Sequence, residues 1–255
     1  MSLVKIDLPA DRVGRITMDR PDQLHALSAE MRVALIDAME NLLAGPDVRA
    51  IVITGSEGNF CAGGDISTMK DLDAEGGRAR MLAGHRLVRL FAYAEKPLIA
   101  AVEGYAMGAG AGMALWCDTV IAGAGARIGF PFFRVGLVPD YGITFTLPRR
   151  VGEGRARRIL LNAETLGAEA ALDAGLFEEI VPNDEVQARA VGLAEEMARH
   201  PVAAVAMTKS LLNGAPGELE TGLEKEAMAQ GICMSTDDHK EGAAAFREKR
   251  TPNFR

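Results

Sequence analysis

Short, unbroken apolar runs alternate along the chain with longer stretches in which apolar residues recur every three or four positions. Arg15–Asp19 (RITMD) reads as a short β-prone run, and Ser28 then opens a stretch with Met31, Leu35, Met39 and Leu42 at helical spacing. Ala50–Thr54 (AIVIT) is wholly apolar and β-branched in character. A loop of small residues, GSEGNFCAGGD, follows it, and then a helical stretch from about Arg78 to Tyr93. Leu98–Gly104 (LIAAVEG) predicts a third buried strand, GAGAGMALWCD a helix packed with small residues, and Thr119–Gly123 (TVIAG) another strand. Strands that are apolar at every position need cover on both faces, so their alternation with helices predicts an α/β fold around a largely parallel, buried sheet. From Glu153 onward the pattern is mostly helical. It is broken by a short strand at Phe177–Val181, with helices expected around Asp184–Arg199, Val202–Asn213, Glu218–Cys233 and Asp237–Lys249.

A chain of 255 residues can bury one sizeable core, as a single large domain or a domain with a helical extension. A formal charge of -7 argues against a general nucleic-acid coat, which needs clustered cations. The local exception is Arg149, Arg150, Arg155, Arg157 and Arg158, readable as a solvated helix face or as a phosphate contact. Cys61, Cys117 and Cys233 have no CxxC spacing, which points to reduced thiols rather than disulfides or a zinc ribbon. The N-terminus lacks the charged-then-apolar pattern of a signal peptide, and the run Gly104–Cys117 is too short and glycine-rich to span a bilayer. A cytoplasmic protein with neither membrane nor nucleic-acid partner is the expectation.

Two loops after buried strands are almost bare of side chains: Cys61–Asp65 (CAGGD) and Gly108–Gly112 (GAGAG). Small residues let a ligand approach the backbone, where free N–H groups stabilise negative charge; tight helix-on-sheet packing would ask for the same residues. The glycines Gly108, Gly110 and Gly112 miss the GxGxxG spacing, and no acid about 20 residues on is placed to hold a ribose, which disfavours a dinucleotide site. GxSxG and the Walker pattern are absent. His25, His85, His200 and His239 never fall at HxxxH spacing, so a serine hydrolase, a nucleotide triphosphatase or a zinc enzyme is not suggested.

The remaining signal is a lone carboxylate, Asp140, within GFPFFRVGLVPDYGITFTLPRR. Among Phe132, Phe133, Val138 and Tyr141 it would be desolvated, with a raised pKa suited to moving a proton. Alternatively, Pro139-Asp140 starts the helix toward Arg150, with Asp140 as its N-cap or paired to an arginine.

Together, ITMDRPDQLHALS, VITGSEGNFCAGGDI, KPLIAAVEGYAMGAGAGMALWCD, GLVPDYGITFTLPRRVG, ALDAGLFEEIVP and EGAAAFREKRTPNF resemble the crotonase, or enoyl-CoA hydratase/isomerase, superfamily over nearly the whole chain. The resemblance implies a core of repeated ββα units over residues 1–195 and a helical C-terminal trimerisation region over 196–255, as a homotrimer or a dimer of trimers. It implies an acyl-CoA substrate and no cofactor beyond the coenzyme A of the thioester. By motif, Gly64 and Ala109 match the backbone N–H groups that hold the thioester oxygen, where losing one donor typically costs ~3 kcal/mol. Ala26, Ala62, Asp65 and Ile66 match positions around the adenine and pantetheine, and Phe246 and Lys249 a C-terminal pair that reaches the CoA; a solvated lysine competes for Lys249.

The chain departs from the family's hydratases at the two glutamates that activate water, since those positions match Gly112 and Phe132. Adding water to a double bond needs a base and an acid, so a poor hydratase is expected. Phe132, Phe133, Trp116 and Tyr141 would instead line a dry pocket beside Gly112. Asp140 matches the catalytic aspartate of the family's dienoyl-CoA isomerases, ring-opening isomerases and chlorobenzoyl-CoA dehalogenases. A one-base double-bond or ring-opening isomerase is the favoured expectation. A non-catalytic acyl-CoA binder, a hydratase and an aryl-CoA dehalogenase are the alternatives.

Overall fold

The computed structural model describes residues 2–69 and 73–213, together with 237, 241, 245, 248, 250, 252 and 253. The helix expected at 218–233 lies outside these residues, as do Cys233, Phe246 and Lys249; residues 237, 241, 245 and 248, in the last expected helix, are helical.

The chain opens with a strand the apolar pattern does not announce, β1 (Val4–Ala10), which pairs antiparallel with β2 (Val13–Met18). Its Lys5, Ile6, Asp7 and Leu8 are exposed, because an edge strand has little cover and no regular alternation to read. Helix α1 (Ala29–Ala44) starts where the sequence predicts it, with the Ser28 hydroxyl accepting from the Met31 N–H at 3.2 Å. Ser28→Ala is expected to lower stability by about 1 kcal/mol, read as a shift in urea midpoint without a change in slope. Then come β3 (Ala50–Gly55), α2 (Ala74–Ala92), β4 (Leu98–Val102), β5 (Tyr105–Met107), α3 (Ala109–Trp116), β6 (Thr119–Gly123) and β7 (Arg127–Gly129). They are followed by α4 (Ile143–Val151), α5 (Glu153–Leu161), β8 (Thr165–Gly167), α6 (Ala168–Ala174), β9 (Glu179–Val181), α7 (Val186–Ala198) and α8 (Val202–Asn213).

The main sheet has the order β1-β2-β3-β4-β6-β9, parallel from β2 to β9. Successive side chains of a strand face opposite ways, and here both ways are covered. Ile51, Ile53, Leu98, Ala100, Val102 and Val120 join the larger core with α1, α2 and α3. Ala50, Val52, Ile99, Ala101 and Ile121 join a second core under α7, whose Val186, Ala190, Ala194 and Ala198 recur every four residues. That alanine row lets the helix lie close on the sheet. The division expected at residue 195 falls inside α7. A smaller sheet, β5-β7-β8, stands beside the first, with β5 parallel to β7 and β7 antiparallel to β8. Among the described residues, no helix is long and apolar enough to cross a membrane.

The five arginines of the basic run are each engaged within the protein. Arg149 lies 3.3 Å over the Phe145 ring, Arg155 donates to the Asp173 carbonyl, Arg157 faces Glu153 and Arg158 faces Glu164. Arg150 fits neither a solvated face nor a phosphate contact. Its side chain is only 16% exposed and it donates to the carbonyls of Leu115 and Cys117 and to Glu178, tying α4 to the end of α3 and to the approach to β9.

Candidate active site

The two bare loops lie against each other. The Cys61 N–H donates to the Tyr105 carbonyl at 2.8 Å and the Met107 N–H to the Cys61 carbonyl at 2.9 Å, so β5 seats one loop on the other. Gly63 has φ +99°, and a Cβ there would stand 2.7 Å from the Met107 carbonyl oxygen and 3.5 Å from the Ala109 nitrogen. Position 63 therefore admits only glycine, and the approach brings the segment around Gly64 beside the start of α3.

Gly64 bridges to Leu27 in the parallel sense: Leu27 donates to the Gly63 carbonyl and Asp65 donates to Leu27. In that pattern the N–H of Gly64 itself points away from Leu27 and has no acceptor among the described residues. Ala109 is the first residue of α3, whose first helical bond is Gly112 N–H to the Gly108 carbonyl, so its N–H is also without a partner. A helix N-terminus carries partial positive charge, which favours an anionic oxygen there. Gly110 permits the seating, since a Cβ there would stand 2.3 Å from the Cys61 carbonyl oxygen. Gly110→Ala is expected to destabilise the fold by about 3 kcal/mol, measured by urea denaturation, because the obstacle is backbone with no rotamer to yield.

Asp140 stands in the turn before α4. The expectation that it caps that helix is overturned: the N-cap is Gly142, with no side-chain cap bond, and the helix starts at Ile143. Nor is Asp140 in an ion pair; its Oδ1 is buried without a hydrogen-bond partner. Burial pushes its carboxyl up to about 6, against the pull of the nearby Arg80 charge. The adjacent Tyr141 sits at φ +49°, a conformation that costs a non-glycine residue ~1 kcal/mol or more. It is held there by the Trp116 indole N–H, which donates to its carbonyl at 2.8 Å, while Trp116 stacks on Phe145 at 5.6 Å.

Of the expected pocket residues, Phe132 and Tyr141 are buried and Trp116 half-buried, while Phe133 is exposed. The Phe132 ring lies 3.8 Å from where a Gly108 Cβ would stand. A Cβ at Gly112 would meet the Tyr141 Cβ at 2.7 Å and the Tyr141 carbonyl oxygen at 3.2 Å, so the space in which a side chain at 112 would start is filled.

Among the positions expected to touch the CoA, Ala26 and Ala62 are half-buried and Ile66 is exposed. The Asp65 carboxylate is taken up internally. It accepts from the Ser67 hydroxyl at 2.6 Å and pairs with Arg20 at 2.9 Å, which together hold it below the usual carboxylate range. Sequence reasoning left His25 without a role. It is fully buried, accepting the Arg20 N–H at Nδ1 and therefore donating from Nε2 to the Ser56 carbonyl; burial lowers its pKa and keeps it neutral beside the CAGGD loop. Cys61 is a buried thiol pushed up to about 12, unsuited to act as a nucleophile. No cluster of His, Cys, Asp and Glu among the described residues has metal-site geometry.

Two neighbouring unpaired backbone donors near a desolvated carboxylate define a class of protein equipped to hold a carbonyl oxygen while a proton moves. The sequence matches the family described as Enoyl-CoA hydratase/isomerase over residues 10–255, and the chain belongs to that family, within the crotonase superfamily. It is 38% identical over 247 residues to the 2,3-dehydroadipyl-CoA hydratase of Escherichia coli, covering 96% of this chain and 95% of the relative. It is 35% identical to the crotonyl-CoA hydratase of Syntrophomonas wolfei over 96% and 95% of the two chains. The crystal structure of an enoyl-CoA hydratase from Bacillus anthracis superposes with a TM-score of 0.94 at 30% identity, covering 99% of this chain and 98% of the other.

Proposed function

We propose that this protein is a one-base isomerase of enoyl-CoA thioesters, shifting a double bond or opening a ring, with no cofactor beyond the coenzyme A of its substrate. The thioester oxygen is held by the N–H groups of Gly64 and Ala109. Asp140 removes a proton from the carbon alpha or gamma to the carbonyl, the electrons move into a dienolate whose charge rests on that oxygen, and the same carboxyl returns the proton at the other carbon. The CoA lies along Ala26, Ala62, Asp65 and Ile66, with Phe246 and Lys249 contributed by the C-terminal region of residues 196–255, which also assembles the trimer or dimer of trimers.

One observation carries the reading: the only acid of the proline-rich turn has a buried, unpartnered oxygen, while the position matching the first hydratase glutamate is a glycine whose side-chain space is filled by Tyr141. A single movable proton serves isomerisation, whereas hydration needs both a base for water and an acid for carbon. The names of the relatives favour hydration as a second reading. Both are tested by incubating the protein with a 3-enoyl-CoA and with a 2-enoyl-CoA: migration of the double bond in the first supports the isomerase, and faster formation of a 3-hydroxyacyl-CoA from the second overturns it.

The pH profile is a separate expectation. Asp140 acts as base only when ionised, so kcat/KM rises with pH through about 6 and levels off above it. A profile flat from well below 6 upward would remove Asp140 as the base.

A further inference from the structure

Resting on the acyl-CoA reading above, we propose that the acyl group this site accepts ends in a carboxylate, bound by Arg32, Arg80 and the Tyr141 hydroxyl. Arg32 is 8% exposed, and among the described residues its side chain donates from Nη1 to the Leu27 carbonyl at 3.2 Å and has no acid in ion-pair range. Arg80 spends Nη1 on the Thr68 hydroxyl at 2.7 Å and Nη2 on the Asp65 carbonyl at 3.4 Å, both neutral acceptors, and its Nε is buried without a partner. The Tyr141 hydroxyl is likewise buried and unpartnered in a residue only 5% exposed.

These groups share one place. The Tyr141 hydroxyl lies 3.4 Å from where a Cβ on Gly84 would stand, and Arg80 is one turn before Gly84 on the same face of α2. Helix α1, which carries Arg32, packs on α2. Burial, and after it the positive charge of Arg32, lowers the pKa of Arg80, and both guanidiniums draw down that of Tyr141 against its burial.

The donors outnumber their partners. Among the described residues Asp65 is taken by Arg20, Asp140 feels the Arg80 charge without pairing to it, and the acid near Arg32 is the exposed Glu30, which forms no ion pair with it. Buried polar groups require partners, so the Arg80 Nε and the Tyr141 hydroxyl, beside an Arg32 that donates only to a neutral carbonyl, are short of an acceptor among the described residues. A carboxylate takes N–H donors from guanidinium groups and an O–H from a phenol. The cluster borders the Asp140–Tyr141 turn and α3, at the reacting end of the site, and an almost fully buried Arg32 does not suit the hydrated phosphates of coenzyme A.

The test is calorimetric binding of adipoyl-CoA and hexanoyl-CoA, which share a carbon count and differ in ending as carboxylate or methyl. Wild-type protein is expected to bind adipoyl-CoA roughly tenfold or more tightly than hexanoyl-CoA. Arg32→Met and Arg80→Met are each expected to bring the two affinities within about twofold, through weaker adipoyl-CoA binding, and Tyr141→Phe to narrow the gap about threefold. Arg32→Met also removes an unpaired buried charge, so its melting temperature should rise; Tyr141→Phe, the mildest change, serves if an arginine variant does not fold. Equal affinities in wild type, a preference for hexanoyl-CoA, or a preference surviving both arginine variants would overturn the proposal. Both ligands are saturated, so the result does not depend on isomerisation: absent turnover with selective binding sinks the isomerase reading alone, and failure to bind either thioester sinks both.

Discussion

Replacing Asp140 with Asn is expected to abolish turnover and to make the protein more stable. An amide cannot take up a proton at neutral pH, so double-bond migration, and deuterium exchange at the alpha carbon of any thioester that exchanges in the wild type, should fall about a thousandfold or more. Acyl-CoA binding should change little, because the oxyanion donors are backbone groups of other loops. The gain in stability follows from the folded-state pKa, raised by burial from 3.8 to about 6. Below 3.8 the carboxyl is protonated whether folded or unfolded and contributes nothing. As pH rises from there through about 6 the unfolded chain ionises more readily, and above about 6 the whole penalty is present, about 3 kcal/mol at about 1.4 kcal/mol per pH unit. Urea midpoints of wild type and variant should therefore coincide near pH 3.5 and separate above pH 7, with the variant higher. Normal turnover in Asp140→Asn would remove the assignment; a variant less stable at high pH would show that the carboxylate has a partner in solution that stabilises it.

Restoring a glutamate at the position that matches the hydratases should not restore hydration. In Gly112→Glu the new Cβ would stand 2.7 Å from the Tyr141 Cβ and 3.2 Å from its carbonyl oxygen. Tyr141 cannot easily retreat, because its ring packs on Gly84, its carbonyl is held by Trp116, and Trp116 is stacked on Phe145 beneath Arg149. The expected loss is about 3 kcal/mol or more, with no gain in the rate of crotonyl-CoA hydration. A stable, hydrating variant would show that the turn yields, and that the missing glutamate is the whole difference between this chain and its hydratase relatives. Together with the Asp140 result, this would separate a turn shaped for one acid from one that had merely lost another.

The apolar runs at Ala50–Thr54 and Thr119–Gly123 were sufficient to place β3 and β6 and to demand cover on both faces, because burial on two sides erases the alternation of a half-exposed strand. Ser28 marked the start of α1, and the small residues at 61–65 and 108–112 marked where backbone approaches backbone. These features depend on neighbours in sequence. Strands β5, β7 and β8, with three residues each, carried too short a pattern, and β1 carried an edge strand's irregular one. What lay beyond the sequence was the charge environment. Nothing in the sequence singled out Arg32 or Arg80, and Arg150 stood in a run readable as a solvated face or as a phosphate contact. Only the packing of α1 on α2, and of the 139–142 turn against α3 and α2, buries Arg32, the Arg80 Nε and the Tyr141 phenol with no ion pair among the described residues, and leaves one Asp140 oxygen unpartnered. A residue's type sets what it can bond to, but its partners, and the water it has lost, are settled by segments far away in the chain.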